Sequence, residues 1–222
     1  MKKEFYQKIE NHMLFVMQDS AHDVQHIYRV LNNALIISKH ENSNININVL
    51  ITACLLHDIG RAKQFEDLNL CHAEIGGRKA NTFLNQLNCS NNFIDQVCKC
   101  INSHRLRKGI KPQSIEAKIL YDADKIDSIG VIGIARMLMY GGAINEPLYK
   151  TNNNTILTTP TEAEVSTFFQ EFNLRNSELR LYTNYGTELA KSKIEKAKQF
   201  YNNLYHELNE TIKNDLISEY VK

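Results

Sequence analysis

The sequence contains no hydrophobic run long enough to span a membrane. Although 43% of its 222 residues are hydrophobic, none of the apolar stretches approaches the roughly 20 residues that a transmembrane helix needs. The N-terminal residues M-K-K-E-F-Y also lack the apolar segment of a signal peptide. We therefore expect a cytoplasmic protein that has no membrane partner.

An excess of charge of either sign is also absent. The 26 Lys and Arg residues nearly balance the 25 Asp and Glu residues, so the formal net charge is +1. A protein that binds nucleic acid through its overall charge would need a basic excess. We therefore expect no nucleic-acid partner, and any phosphate-bearing ligand must be bound by local cations or by a metal ion.

The cysteines lack the spacing of a disulfide framework or a thiolate metal site. They are odd in number and form no C-x-x-C pair, and the single C-x-C has no second pair to complete a zinc site. We therefore predict reduced thiols, as is usual in the cytosol. The five are Cys54, Cys71, Cys89, Cys98 and Cys100.

Internal repeats and the alternating pattern of β-strands are missing, whereas helical periodicity is widespread. The segment 48–57 is apolar nearly all round and is predicted to be a central buried helix. We predict an all-α fold, with an irregular segment over 145–160. The predicted helices cover about 4–18, 24–40, 48–57, 72–87, 92–103, 115–129 and 187–214, with further helix from the T-E-A-E sequence at 161–164 onwards.

An ionisable pair, His57-Asp58, ends the central helix in the sequence L-L-H-D-I-G. A carboxylate so close to the core is costly unless a cation or several hydrogen-bond donors compensate it. The pair alone could also be explained locally, with His57 bonded to a backbone carbonyl and Asp58 capping the next turn. Four further histidines lie on shared faces or at the ends of predicted helices: His22, His26, His72 and His104.

A cluster of carboxylates lies in the sequence Y-D-A-D-K-I-D-S-I-G, at Asp122, Asp124 and Asp127. Like charges so close raise each other's pKa unless a cation compensates them. Lys125 could compensate one of them, and a solvated helix face could explain others. Together with the histidines, however, a metal site is the simpler explanation, because imidazole and carboxylate suit divalent ions such as Mn, Fe, Co, Ni, Zn and Mg.

Five motifs in order along the chain resemble the HD-domain phosphohydrolase superfamily, and in particular its small stand-alone bacterial members. The resemblance implies an all-helical bundle forming a single domain over 1–222, with the motifs in a core at about 20–140. The C-terminal part, about 161–222, carries no motif. The motifs are H-D-V-Q-H-I-Y-R-V at 22–30, L-L-H-D-I-G at 55–60, H-A-E-I-G at 72–76, I-N-S-H-R at 101–105 and Y-D-A-D-K-I-D-S-I-G-V-I-G-I-A-R at 121–136.

The resemblance also implies a metal-ligand set, with Asp124 preferred over Asp122 because a small residue precedes it and Lys follows it. The implied metal ligands are His26, His57, Asp58 and Asp124. Asp58 is also predicted to act in catalysis, together with His72, His104 and Asp127.

Each catalytic candidate has an alternative. His72 and His104 could hold a second metal, contact phosphate or be ordinary interfacial histidines. Asp127 could orient a water or a sugar hydroxyl, or simply pair with a lysine. His22 could orient His26 or begin a helix.

Cations next to the motifs are predicted to bind the phosphates of a substrate, since guanidinium groups bind phosphate oxygens in a bidentate manner. Arg61 and Arg105 rank first because Arg61 directly follows H-D-I-G and Arg105 directly follows His104. The full set is Arg29, Arg61, Lys63, Arg105 and Arg136.

The function predicted from these features is metal-dependent removal of phosphate or pyrophosphate from nucleotides, with (deoxy)nucleoside triphosphates as first candidates. The expected cofactor is a divalent ion (Mn, Co, Ni, Mg, Fe or Zn) that activates a water. The expected partner is a small nucleotide, and the protein is expected to be a monomer or a homodimer. The alternatives are hydrolysis of a cyclic or alarmone nucleotide, and a non-catalytic nucleotide sensor.

Overall fold

The fold is all-α, as predicted. A computed structural model describes residues 1–17, 24–67, 69–105, 110–159 and 166–212, with the backbone alone at 64–66. His22 and the T-E-A-E sequence lie outside the described residues. The helices are α1 (Lys3–Met17), α2 (Val24–Ser38), α3 (Ile47–Leu56), α4 (Arg61–Glu66), α5 (His72–Gln86), α6 (Asn91–Ser103), α7 (Ile115–Asp127), α8 (Gly130–Ala143), α9 (Phe168–Glu178) and α10 (Asn184–Ile212).

The described chain divides into two compact units. The first comprises Met1–Asp127 and Leu181–Leu189. The second comprises Ser128–Arg180 and Ala190–Lys222, of which the structure describes 128–159, 166–180 and 190–212. Every predicted metal ligand falls in the first unit. The expectation of a single domain over 1–222 stays a prediction.

The centre of the first unit is α3, which confirms the prediction of a buried helix at this position. It packs against α1, α2, α6 and α7. A helix that is surrounded in this way buries apolar side chains on nearly every side. The N-terminus of α3 is capped by Asn46, whose side-chain oxygen accepts a hydrogen bond from the backbone N–H of Val49 at 3.3 Å. The helix ends at Leu56, one residue before His57.

Helix α7 is the second deeply placed element of this unit, and it packs chiefly against α2. Ile119, Leu120 and Ile126 are fully buried on it. Its three aspartates are buried as well, which is unusual for carboxylates and requires compensating partners.

The second unit contains the segment that was expected to be irregular. Part of it forms a short antiparallel hairpin, in which β1 (Thr151–Asn152) pairs with β2 (Thr155–Ile156). Asn153 and Asn154 turn the chain with φ of 47° and 58°, values that asparagine tolerates better than most residues. An aromatic cluster around Phe169 forms the core of this unit.

Most predicted helices are confirmed to within about two residues at each end. Three helices were not predicted separately: the short α4 after the H-D-I-G sequence, α8, which has glycines near both ends, and α9, which falls in the segment predicted only as further helix. No single helix among the described residues is long and apolar enough to cross a membrane. Helices α7 and α8 pass that test only when they are counted together as a bent pair.

Candidate active site

A tight turn between α3 and α4 places His57 and Asp58 inside the first unit. The turn lies directly on the backbone of α5, because a Cβ atom at Gly60 would be 2.1 Å from the carbonyl oxygen of His72 and 2.6 Å from the backbone nitrogen of Gly76. Glycine is therefore required at Gly60 by space. The close approach brings Asp58 next to the histidine that begins α5.

Asp58 lies at the centre of four histidines. Its Oδ2 atom is 3.7 Å from both His26 Nε2 and His57 Nε2. Its Oδ1 atom is 3.5 Å from His72 Nε2 and 3.7 Å from His104 Nε2. All five side chains are buried, so residues from α2, α5, the turn after α3 and the end of α6 converge on one carboxylate.

The Nδ1 atoms of His57 and His26 each form a hydrogen bond that orients the ring, so that Nε2 faces the site. The Nδ1 atom of His57 is 2.7 Å from the carbonyl oxygen of Cys54, so Nδ1 carries the hydrogen and Nε2 keeps a lone pair. The Nδ1 atom of His26 is likewise 2.7 Å from Asp127 Oδ2. A backbone carbonyl or a carboxylate in this position is the usual partner of a metal-binding histidine.

His72 and His104 form a pair whose partners assign the hydrogens in the same way. His104 Nδ1 lies 2.6 Å from the carbonyl oxygen of Ile101 and therefore donates to it. His72 Nδ1 accepts a hydrogen bond from Arg105 Nη1 at 3.1 Å. The two Nε2 atoms are 3.1 Å apart, so in the neutral pair His72 donates and His104 accepts.

The site has the features expected of a cation-binding site. His57 Nε2 and Asp58 Oδ1 are buried and have no hydrogen-bond partner within the described part of the chain, which is costly unless a ligand completes them. Among the described residues, two sets of three side chains have ligand atoms close enough to share an ion. These sets are His26, His57 and Asp58, and Asp58, His72 and His104.

The ionisation states of several groups also suit a cation. Burial opposes ionisation of Asp58, but His57, Arg61 and His104 outweigh it and hold the pKa of this carboxyl well below its usual range. Burial lowers the pKa of His57 to about 4 and, together with Arg61, that of His72 to about 2. Near neutral pH the carboxylate is therefore charged and these imidazoles are neutral, as metal binding requires.

His26 differs because three carboxylates surround it. Burial lowers its pKa, but hydrogen bonds with Asp124 and Asp127, reinforced by Asp58, raise the pKa to about 9. Binding of a metal ion to His26 Nε2 would therefore require loss of a proton from this ring.

Asp124 lies at the edge of the site, and Asp122 does not face it. Asp124 Oδ1 is 3.3 Å from His26 Nε2, and its Oδ2 accepts a hydrogen bond from Lys125 at 3.1 Å. Asp122 instead accepts from the backbone nitrogens of Tyr182 and Thr183, at 2.9 and 2.7 Å respectively. The preference for Asp124 over Asp122 thus agrees with the direction in which each side chain points.

Asp127 contacts His26 at Nδ1, the ring nitrogen that points away from Asp58. Sequence reasoning did not predict this contact. The Oδ1 atom of Asp127 accepts a hydrogen bond from Arg29 Nε at 2.6 Å, and its Oδ2 accepts from Arg29 Nη2 at 3.1 Å. The aspartate therefore orients His26 and is itself held by an arginine. The sequence contained a signal for this role, since Asp127 follows the preferred ligand Asp124 by one helical turn.

The predicted phosphate-binding cations separate into those at the site and those elsewhere. Arg29 contacts Asp127, Arg61 Nε donates to Asp58 Oδ2 at 3.1 Å, and Arg105 donates to His72. Lys63 is exposed on α4. Arg136 belongs to the second unit, and its role stays a prediction.

Comparison with known proteins gave a match to one family and to one curated relative. The chain matches the HD domain over residues 23–129. It is 31% identical over 132 residues to the uncharacterised protein YpgQ of Bacillus subtilis (strain 168), an alignment covering 60% of this chain. The aligned part spans 63% of that relative, which is less than two thirds of its length.

Two solved structures show how much of the chain shares this fold. An HD-superfamily hydrolase from Bacillus thuringiensis is 26% identical, with a TM-score of 0.69, and the match covers 94% of this chain and 99% of that one. Bacillus subtilis YpgQ in complex with ADP is 26% identical, also with a TM-score of 0.69, and the match covers 92% and 95% of the two chains.

Proposed function

We propose that this chain is an HD-superfamily hydrolase, and more narrowly a metal-dependent phosphohydrolase acting on nucleotides. The observation that carries this proposal is the buried position of Asp58 among four histidines. A carboxylate in such a place needs a cation, and the open ligand atoms of His57 and Asp58 provide part of a site for one. The match to YpgQ with ADP supports a nucleotide as the substrate class.

The proposed ligands are His26, His57, Asp58 and Asp124. They combine neutral imidazoles with carboxylates, which suits Mn, Co, Ni, Fe, Zn or Mg. A divalent ion bound there lowers the pKa of a water and polarises a phosphoryl oxygen. Since no thiolate belongs to this set, it differs from the closed, cysteine-rich sites that serve purely structural roles.

The histidine pair is proposed to handle the proton of the attacking water. When the water oxygen bonds to phosphorus and a P–O bond breaks, the water must lose a proton. In the neutral pair the lone pair of His104 Nε2 accepts the hydrogen bond from His72 Nε2, so His104 receives the proton of the water once that hydrogen bond breaks. A second ion shared with Asp58 is the other use of these two histidines, and a metal-to-protein ratio separates the alternatives.

Arg61 and Arg105 are proposed to bind the phosphate oxygens. Both are partly exposed and each already contacts a residue of the site, so a guanidinium can reach a bound phosphate and remain near the reacting atoms. Positive groups fixed in this position also stabilise negative charge that develops on the leaving oxygen. Nucleoside triphosphates are the first substrates to test because they carry the most phosphate charge.

The proposal is tested with metal-stripped protein reloaded with Mn, Co, Ni, Mg or Zn and given a panel of nucleotides. We expect metal-dependent hydrolysis, and we expect Asp58→Ala and His57→Ala to lose both metal retention and turnover while remaining folded by circular dichroism. Asp95→Asn is the control, because Asp95 is exposed and pairs only with Lys99 among the described contacts.

Analysis of the products and of the bound metal identifies the cleaved bond and the number of ions per chain. Separation of phosphate from pyrophosphate identifies the bond that is cleaved, and elemental analysis gives one or two ions per chain. Full activity in either site variant would contradict the site assignment. Tight metal binding without turnover of any triphosphate would move the substrate to a cyclic or alarmone nucleotide, or the protein to a sensor.

A further inference from the structure

The turn that carries Asp58 is held against α5 at two points. The first is the backbone contact at Gly60 already described. The second is a side-chain contact, in which Lys79 Nζ donates a hydrogen bond to the carbonyl oxygen of Ile59 at 3.1 Å. Both contacts come from the helix that begins with His72.

The carbonyl groups of this turn show why Lys79 matters. The last carbonyls of a helix have no donor within the helix and must find one elsewhere. The oxygen of Leu56 accepts from the N–H of Ile59 at 3.4 Å, and that of Asp58 accepts from the N–H of Arg61 at 2.9 Å. Ile59 lies beyond the end of α3 and is buried, so its carbonyl also needs a donor, and it takes its hydrogen bond from Lys79.

The register of α5 links this contact to the site. Lys79 follows His72 by seven residues, or about two helical turns, so both side chains lie on the same face of the helix. His72 contacts the Asp58 side chain at 3.5 Å, while Lys79 contacts the backbone one residue further on. Helix α5 therefore contacts the Asp58 carboxylate through His72 and the neighbouring Ile59 carbonyl through Lys79.

We propose that Lys79 is a positioning residue of the metal centre, which fixes the Ile59–Gly60 peptide next to Asp58 and so sets the distance between the Asp58 carboxylate and His72. This inference rests on the proposed function, because it takes Asp58 to be a metal ligand. Without the ammonium group the Ile59 carbonyl loses its donor, and the turn is less firmly fixed on α5. Removal of groups that orient a ligand commonly weakens metal binding by about 10–100-fold.

The test is a Co²⁺ titration of the metal-stripped full chain, followed by visible absorption. The d–d bands report the geometry around the ion as well as its affinity, and neither depends on turnover. We expect Lys79→Met to weaken Co²⁺ binding by about 10-fold or more and to change the band shape. Lys79→Arg, which keeps a charged donor, should restore most of both.

Lys99→Met is the matched control, because Lys99 is a lysine of the same unit that is 72% exposed and pairs with Asp95. It should bind Co²⁺ as the unchanged protein does. If Lys79→Met does not fold, Lys79→Gln takes its place, since the amide removes the charge and shortens the reach.

Two results would overturn the inference. One is an unchanged affinity and spectrum in a folded Lys79→Met or Lys79→Gln protein. The other is a lower melting temperature with an unchanged Co²⁺ spectrum, because that pattern belongs to a purely structural lysine. Failure of the proposed function is distinguishable, since without a metal site the unchanged protein would give no Co²⁺ bands, and with a metal site that does not hydrolyse nucleotides it would give the bands but no turnover.

Discussion

At the scale of single residues, the site depends on which atom of each side chain faces inward. His26 lies between the carboxylates of Asp127 and Asp124. Asp127 is hydrogen-bonded to Nδ1 of the ring, whereas Asp124 lies near Nε2. Residues three apart on one helix thus act on opposite sides of the same ring. Asp127 was predicted from sequence to take part in catalysis directly, but its contacts with His26 and Arg29 favour an orienting role.

Asp127→Asn distinguishes these two roles. The change removes the negative charge that holds the hydrogen on His26 Nδ1, so we expect metal affinity to fall by about 10–100-fold. Isothermal titration with Mn²⁺ measures this, and Arg29→Gln, which leaves the Asp127–His26 bond in place, should have a smaller effect. Unchanged metal affinity with a large loss of kcat would favour the direct catalytic role instead.

At the scale of elements, the site is built by the close approach of a turn to a helix. The turn after α3 and the first turns of α5 meet through Gly60 and Gly76, and a Cβ at Gly76 would itself lie 3.2 Å from the carbonyl oxygen of His57. Backbone in such tight contact cannot accommodate an added methyl group without moving. The separation of Asp58 and His72 therefore depends on residues that have no side chain.

Gly60→Ala is expected to lower the free energy of unfolding by about 1–3 kcal/mol, the usual cost of overpacking. The backbone at Gly60 has φ of −90°, which alanine tolerates, so the effect comes from the contact with α5. Urea denaturation followed by circular dichroism measures it. The control is Gly142→Ala, where an added Cβ meets nothing within 4 Å; equal stability changes in the two variants would contradict this explanation.

At the scale of the whole molecule, the metal centre is expected to contribute to stability. The buried carboxylates of the first unit repel one another, and a cation bound to the folded state alone stabilises that state by mass action. The ligands all belong to the first unit. Metal binding should therefore stabilise this unit in particular.

Removal of the metal should lower the melting temperature. At an ion concentration of about 100 times Kd, binding adds about 2.7 kcal/mol, which corresponds to roughly 5–10 °C for a chain of this size. Differential scanning calorimetry with and without Mn²⁺ gives the shift, and Asp58→Ala should show almost none. A shift of equal size in Asp58→Ala would place the stabilising ion elsewhere.

The sequence by itself determined the elements and the chemical groups of the site. Helical spacing predicted α3 and α7 nearly to their ends, because local periodicity depends on residues close together in the chain. The family resemblance carried by the motifs implied His26, His57, Asp58 and Asp124 as metal ligands, and that assignment stays a prediction. The glycines around α8 and the Asn-rich hairpin were harder, because both depend on backbone geometry more than on apolar spacing.

Only the tertiary structure decided which partner each of these groups meets. Helical periodicity separates the face of Asp122 from that of Asp124 but does not say what lies opposite either face. Asp122 meets backbone groups 60 and 61 residues away, while Asp127 meets His26 at a separation of 101 residues. Such contacts form when distant helices pack together, and no local pattern in the chain specifies them.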